Sequence, residues 1–438
     1  MKEDEPSFNA IKIKIESNKD IVINENNLKD NYFLKKSKNN FMFLFNIKIV
    51  FVLFYFLLII WSETLYSNYL FKISIPFQEI IQKEEKYKIL LKICKILSIF
   101  GKDKFYLFLF GIVFLLMPLN YSFLVLQSIV YSNYCTNTLK MIYQSDRPNW
   151  RSEYLTFSCN YGYGNPSGHS FASICLYLSL AHIFVTYYKI KGKFKNIILF
   201  ILLILFSFLI ISSRFILATH SLDQVLYGLT LGLGLYFILI YIIGYHKYSS
   251  IAFFQHIRNK KVNNFYKFFH TFLFIFTILV YFKAETKDHS DLEKSIFNGV
   301  RCKIKNPISK YKNDALFQSL CIVSLIGAQY GINLLFKILK NNNYIINFSI
   351  IEWNKSNIKK FMLRIPVILF SSIGIILYFI IPKNLPLLMI FILKSVVPFF
   401  LGILGINFIG IYLCIYLKFA NSEIYKMDVV LQEIFSDL

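Results

Sequence analysis

The sequence predicts an all-α fold, a multi-pass transmembrane helical bundle with a six-helix core and about four additional C-terminal helices. Three observations carry that prediction. The 438 residues are 56% hydrophobic and 18% aromatic. Apolar runs recur near the length of about 20 residues that a helix needs to cross a hydrocarbon core. Runs such as 197–211 also lack the polar stripe, at a period of about 3.6, that a helix on a soluble protein carries.

The formal charge of +23 fits the same reading. The excess sits in short lysine clusters beside apolar runs and on no recognisable nucleic-acid module, so no nucleic-acid partner is expected. The seven cysteines are scattered, with no pair at metal-finger spacing and no legible disulfide framework.

Residues 1–40 are polar, of mixed charge and asparagine-rich, and read as a cytoplasmic tail. The apolar run 41–61 is too long for the apolar part of a cleavable signal, so it is expected to act as an uncleaved signal anchor. Residues 62–104 form an amphipathic stretch with Glu84, Glu85, Lys86 and Lys88, expected to lie at the membrane interface. Runs 105–120 and 121–139 make a helical hairpin whose turn is marked by Pro118 and Asn120. A polar loop, 141–166, follows.

Further spans are expected at 169–188, 196–212, 220–245, 264–282, 315–336 and 361–381. A long run at 387–417 contains Pro398 and reads as one tilted helix or two short segments. The chain thus divides into the tail 1–40, a membrane core 41–250, and additional transmembrane helices with a short cytoplasmic C terminus, 251–438.

Orientation follows from the short loops, because cytoplasmic segments carry the excess of lysine and arginine. Segment 189–195 holds Lys189, Lys191, Lys193 and Lys195 without an acid. Segment 247–267 holds Lys247, Arg258, Lys260, Lys261 and Lys267, again without one. Both are therefore expected to be cytoplasmic. Alternation puts loops 141–168, 213–219 and 283–314 on the lumenal or outer side, and with them every chemically suggestive cluster.

There are three such clusters. Lys140 and Arg147-Pro148 close the third helix; alone, they read as charge flanking a membrane span. Pro166-Ser167-Gly168-His169 directly precedes an apolar run and suits a helix start. Free backbone N–H groups at Ser167, Gly168 and His169 would there face an anion, with His169 able to exchange a proton with it. Ser213-Arg214 and His220-Ser-Leu-Asp223-Gln224 bridge the next two helices. Ionisable groups at such a depth are costly and usually functional, although an arginine can also snorkel. His220, Gln224, Gly228 and Gly232 recur every four residues, so they share one helix face on which glycine permits close packing.

Two histidines, three cations and a helix N-terminus on one face supply what phosphoryl transfer without a metal requires. The cations neutralise the non-bridging oxygens, one histidine attacks phosphorus, and the other protonates the leaving oxygen. No metal or other cofactor is expected.

These motifs, K-x6-RP, PSGH and SR-x5-H in that order, resemble the type 2 phosphatidic acid phosphatase superfamily over about residues 105–245. The resemblance implies an all-α membrane phosphatase in which 41–250 is the six-helix catalytic core. It implies that Lys140, Arg147 and Arg214 bind phosphate, Ser167 and Gly168 cradle it, His169 is the general acid and His220 the nucleophile. One position departs from the family pattern. The carboxylate four residues after the nucleophile is here Gln224, while Asp223 stands at three, so either residue is a candidate to orient His220.

His220-x-x-x-Gln-Val-Leu-Tyr-Gly228 looks like dolichyl diphosphatase. Arg147-Pro-Asn-Trp150 with Cys159 and Gly162-Tyr-Gly-Asn-Pro-Ser-Gly-His169 looks more like glucose-6-phosphatase. The expected substrate is a phosphorylated lipid or a small phosphate ester, met among membrane lipids. The expected location is the endoplasmic reticulum, another endomembrane or the plasma membrane, with the site facing the lumen or outside. A catalytically silent lipid-phosphate-binding relative and an anion transporter are the rivals; no internal repeat supports the transporter.

Three smaller readings complete the sequence. Cys159 and Cys302 fall in the same set of loops, as a pair or as two free thiols. His246, His256 and His270 are expected to be solvated or interfacial. Tyrosines and tryptophans near span ends suit an aromatic belt.

Overall fold

The computed structural model describes residues 38–116, 119–157, 162–187, 193–244, 260–285, 308–327, 329–331 and 386–401. It divides into two units, Met1–Tyr55 and Phe56–Leu438, and the described part of the first is helical throughout. No strand occurs among the described residues. The helices are α1 (Lys38–Lys83), α2 (Lys88–Leu97), α3 (Asp103–Leu116), α4 (Leu119–Tyr143), α5 (Gly168–Tyr187) and α6 (Lys193–Ile216). They continue with α7 (Leu222–Phe237), α8 (Lys260–Glu285), α9 (Ile308–Ser319) and α10 (Leu387–Leu401).

Among the described residues, five helices are long and apolar enough to cross a membrane: Val50–Lys83, Gly168–Thr186, Asn196–Ile216, Leu222–Ile243 and Val262–Ala284. The chain is an integral membrane protein. On α6, Ile198, Leu202, Leu205 and Leu209 are exposed, which is how a helix meets lipid. Helix α4 is long but more polar because it is wrapped by other helices: Gln127, Ser128, Ser132, Asn137 and Thr138 are all buried. A helix screened from lipid need not be apolar all round. Helix α3, at 14 residues, reaches only about 21 Å and does not span a bilayer unaided.

The expectation for 62–104 requires correction. The run begun at residue 41 does not stop at 61, and α1 continues as helix to Lys83. Its amphipathicity is inside out. Leu57, Trp61, Leu65, Tyr69 and Phe77 are exposed, whereas Glu63, Ser74 and Gln78 are buried against the rest of the protein. Lipid is the solvent for the apolar side, so the polar side turns inward to find partners. The amphipathic part lies further on, in α2, where Leu91 and Cys94 pack with Ile81 and Leu217.

Helices α5 and α7 lie close together, as the glycine spacing suggests. A Cβ on Gly228 would stand 2.5 Å from the Ser167 carbonyl oxygen, and one on Gly232 would collide with Ile174 and the Phe171 carbonyl. Chain direction then gathers the motifs. The C-terminal end of α4, the N-terminal end of α5, the C-terminal end of α6 and the N-terminal end of α7 share one end of the bundle.

The C-terminal helices pack on α4. Met141 joins Tyr281, Ala284, Leu316, Leu320 and Ile390 in one apolar cluster. Tyr134 Oη donates to the Leu273 carbonyl at 2.9 Å, and Gln144 Nε2 to that of Ala284 at 3.4 Å. The reading of His270 as solvated or interfacial is also corrected: it is buried, with Nε2 2.6 Å from Tyr131 Oη. A phenol rather than water therefore meets its Nε2. The turn at Pro118, Cys159, Cys302, His246, His256, the run 361–381, the end of the run 387–417 and most of both basic loops lie outside the described residues.

Candidate active site

The connection between α6 and α7 is folded back on itself by its own backbone. The Arg214 carbonyl accepts from Thr219 N at 3.1 Å, Thr219 Oγ1 at 2.9 Å and His220 N at 3.4 Å. Ala218, at φ 54°, makes the left-handed turn that this needs. Ser221 then begins α7 with a capping box, in which Gln224 Oε1 accepts from the Ser221 backbone N–H at 3.4 Å.

His220 is buried and held on both ring nitrogens. Nδ1 is 3.2 Å from Gln224 Oε1, and Nε2 is 3.3 Å from Arg147 Nη1. The Gln224 amide cannot be reversed without loss, because its Nε2 donates to the Asp146 carbonyl at 2.6 Å. Its oxygen therefore faces the imidazole, which puts the ring proton on Nδ1 and leaves the Nε2 lone pair directed at the Arg147 guanidinium. Burial, together with Arg147, Arg214, Lys140 and His169, holds the His220 imidazole well below its ordinary value, so the ring is neutral.

Of the two candidate orienting residues, Gln224 is the one in contact. Asp223 is buried at the start of α7, and its Oδ1 has no hydrogen-bond partner among the described residues.

Arg147 is buried in a cage of carbonyls. Its Nε donates to Gly162 O at 2.5 Å, Nη1 to Thr219 O at 2.7 Å, and Nη2 to Tyr163 O at 3.2 Å. The guanidinium thus ties the loop before Pro166 to the residue before His220. Only a planar fork reaches three carbonyls and a ring nitrogen together. Arg214 is buried as well. Nη1 donates to Ser98 Oγ at 2.5 Å, while Nε has no partner among the described residues.

The α5 start differs in one respect from the expectation. The Ser167 N–H is already engaged, donating to the Gln224 carbonyl at 3.0 Å. The Ser167 hydroxyl serves as the cap, accepting from Ser170 N at 3.5 Å and Ser170 Oγ at 2.9 Å. Gly168 and His169 are left as the first two helical N–H donors, which have no acceptor within their own helix. Lys140 reaches this end, its Nζ 4.0 Å from where a Cβ on Gly168 would stand. His169 lies beside Gly101, where a Cβ would stand 2.6 Å from the ring Cδ2, and its Nε2 is buried without a partner among the described residues.

Residues outside the three motifs frame the site, and most come from α1. Gln78 Nε2 donates to Phe215 O at 3.0 Å and His220 O at 2.8 Å, and Gln82 Nε2 to Leu217 O at 3.3 Å. Ser74 Oγ accepts from Leu222 N at 3.0 Å, Glu79 Oε1 accepts from Ser152 Oγ at 2.5 Å, and Glu63 Oε1 accepts from Asn165 Nδ2 at 2.5 Å. One signal was available in the sequence: Ser74, Gln78 and Gln82 recur every four residues along an otherwise apolar helix.

No curated protein and no solved structure matches the chain. One family model does, and the residues it matches hold Lys140, Arg147, His169, Arg214 and His220, leaving α1 to α3 and everything after 248 outside. The match is to the PAP2 superfamily, over residues 121–248.

Proposed function

We propose that the protein hydrolyses a phosphate monoester or diphosphate through a phosphohistidine on His220, without a metal. The observation that carries this reading is the state of His220, a neutral buried imidazole with Nδ1 against Gln224 Oε1 and its Nε2 lone pair against the Arg147 guanidinium. PAP2 superfamily members are generally phosphatases, which supports an activity of this type.

The chemistry runs in two displacements. A phosphoryl group enters beside Lys140, Arg147, Arg214 and the N–H groups of Gly168 and His169, and its oxygens take over the guanidinium donor that His220 Nε2 had accepted. Nε2 attacks phosphorus. The N–P bond forms as the bond to the leaving oxygen breaks, and that oxygen takes a proton from His169. Water then attacks phosphorus, His169 accepts its proton, and the N–P bond breaks to release inorganic phosphate. Fixed donors aimed at the phosphoryl oxygens need no rearrangement as charge develops, which is the main source of acceleration in such a site. Gln224 holds the attacking tautomer.

A lipid substrate suits the position of the site at the helix ends of a membrane bundle, where an acyl or isoprenoid chain stays in the bilayer while its phosphate reaches the cations. A sugar phosphate would instead enter from the aqueous side, which is the lumen or outside if the acid-free basic loops are cytoplasmic. The test measures phosphate release from phosphatidic acid, an isoprenyl diphosphate and glucose 6-phosphate, in chelator, by wild type and His220→Ala. Turnover of one substrate class, abolished in the variant, is expected. Full activity in His220→Ala would remove His220 as nucleophile, and vanadate binding without turnover would leave a silent phosphate-binding relative.

A further inference from the structure

We propose that Gln78, on α1 and outside the PAP2 segment, is a positioning residue for His220. The proposal rests on the phosphohistidine reading, in which the direction of the His220 imidazole sets the rate. The Gln78 side chain is fully buried and bridges the last turn of α6 to the nucleophile itself. Its amide nitrogen donates to Phe215 O at 3.0 Å and to His220 O at 2.8 Å. Both partners are carbonyl oxygens, so only the NH2 end of the amide can occupy that place, and each of its hydrogens has one acceptor.

This contact is the third constraint on a short segment. Arg147 Nη1 holds Thr219 O, and the Arg214 carbonyl holds the backbone N–H groups of Thr219 and His220. Without Gln78, the His220 peptide keeps its N–H partner but loses its carbonyl partner, and rotation of that peptide swings the imidazole. A buried carbonyl left without a donor is also unfavourable, which favours such a rotation. An error of about 1 Å in an attacking atom lowers a rate by about 100-fold.

Neighbouring contacts make α1 a splint along this segment. Ser74 accepts from Leu222 N, one residue into α7, and Gln82 donates to Leu217 O. Gln82 Oε1 also accepts from Phe157 N at 3.2 Å, and Glu79 from Ser152, so the same helix braces the 152–157 loop. Of these residues, only Gln78 bonds to the backbone of His220. Among the described residues the hydrogen bonds of Gln78 go to Phe215 O and His220 O and to none of the cations that would receive phosphate, so binding and attack are separable.

The experiment uses the full chain in detergent micelles, with phosphatidic acid, an isoprenyl diphosphate and glucose 6-phosphate as substrates and orthovanadate as the phosphate probe. Gln78→Met keeps the volume and removes both donors. Its kcat is expected to fall about 10- to 100-fold, with KM and vanadate inhibition within about threefold of wild type. Gln78→Glu donates only when protonated, so part of its lost kcat should return as pH is lowered, against the wild-type profile. A Gln78→Met kcat within about twofold of wild type would overturn the proposal. So would a loss of vanadate inhibition in proportion to kcat with a lowered Tm, because Gln78 would then serve folding alone. If Gln78→Met does not fold, a Gln78→Glu pH profile parallel to wild type overturns it equally. A wild-type protein that releases no phosphate from any of the three refutes the underlying reading, an outcome distinct from an active wild type with unaffected Gln78 variants.

Discussion

Helix α4 has two sides that are built by different physics. On one, Lys140 reaches towards the start of α5, and the surrounding residues are joined by directional bonds: Arg147 to three carbonyls, Gln224 to His220 and Asp146, Gln78 to His220. On the other, Met141 packs into Leu316, Leu320, Ile390 and Tyr281, an apolar cluster with few bonds to direct it. The polar side fixes orientation, since hydrogen bonds fail steeply with distance and angle. The apolar side fixes adhesion, since dispersion and close packing tolerate small shifts of direction. Substitutions on the first should therefore change rate more than stability, and on the second stability more than rate.

The largest separation is expected from His220→Ala, which removes the attacking atom. Phosphate release should drop by at least about 1,000-fold, while the melting temperature in detergent stays close to wild type. Next comes Arg147→Lys. A single ammonium cannot replace a fork that meets Gly162, Thr219, Tyr163 and His220 together, so kcat/KM should fall about 100-fold, with some loss of stability from unpaired carbonyls. An Arg147→Lys enzyme of wild-type activity would show that the guanidinium is structural only.

Gln224→Leu against Asp223→Asn sharpens the comparison within one helix turn. Loss of the Nδ1 partner should lower kcat about tenfold or more, whereas Asp223→Asn should stay within about threefold. The reverse order would return the orienting role to the aspartate. On the apolar side, Leu320→Ala should cost about 2–4 kcal/mol of stability in a denaturation series and leave kcat per folded molecule unchanged.

The smallest effect is a pH dependence of stability. His220 has its folded value pushed below its ordinary value of 6.5. Between the two values the unfolded chain binds a proton that the folded protein refuses, so folding is favoured above the unfolded value and loses ground as pH falls below it. His220→Gln should flatten that part of the stability curve between about pH 7 and 5, read by thermal unfolding at each pH. An unchanged slope would mean that the ring is protonated in the folded protein.

Much of the site was legible because its parts are local strings at helix ends. Lys140 with Arg147-Pro148, Pro166 to His169, and Arg214 with His220 each announce a helix terminus bearing charge, and alternation of spans brings the termini to one end of the bundle. The choice between Asp223 and Gln224 was not legible, because spacings of three and four are both compatible with one helix face until the backbone of the 217–221 turn is known. The engaged Ser167 N–H was hidden for a similar reason, its acceptor being a carbonyl 57 residues later.

The role of α1 shows where sequence reading stops. Its apolar length marks a span, yet which side of it faces lipid depends on what the other helices offer. Glu63, Ser74, Gln78 and Gln82 fall within the stretch 62–104 that was expected at the interface, because a polar residue in an apolar run has two ways of avoiding hydrocarbon, turning to the headgroups or turning to protein. Local composition, through the cost of burying charge and the period of the helix, determined an all-α membrane bundle and the charged residues gathered at one end of it. Tertiary packing alone decided which amide orients His220 and which helix braces it, because those partners are backbone carbonyls and amides identical at every position until the fold selects one.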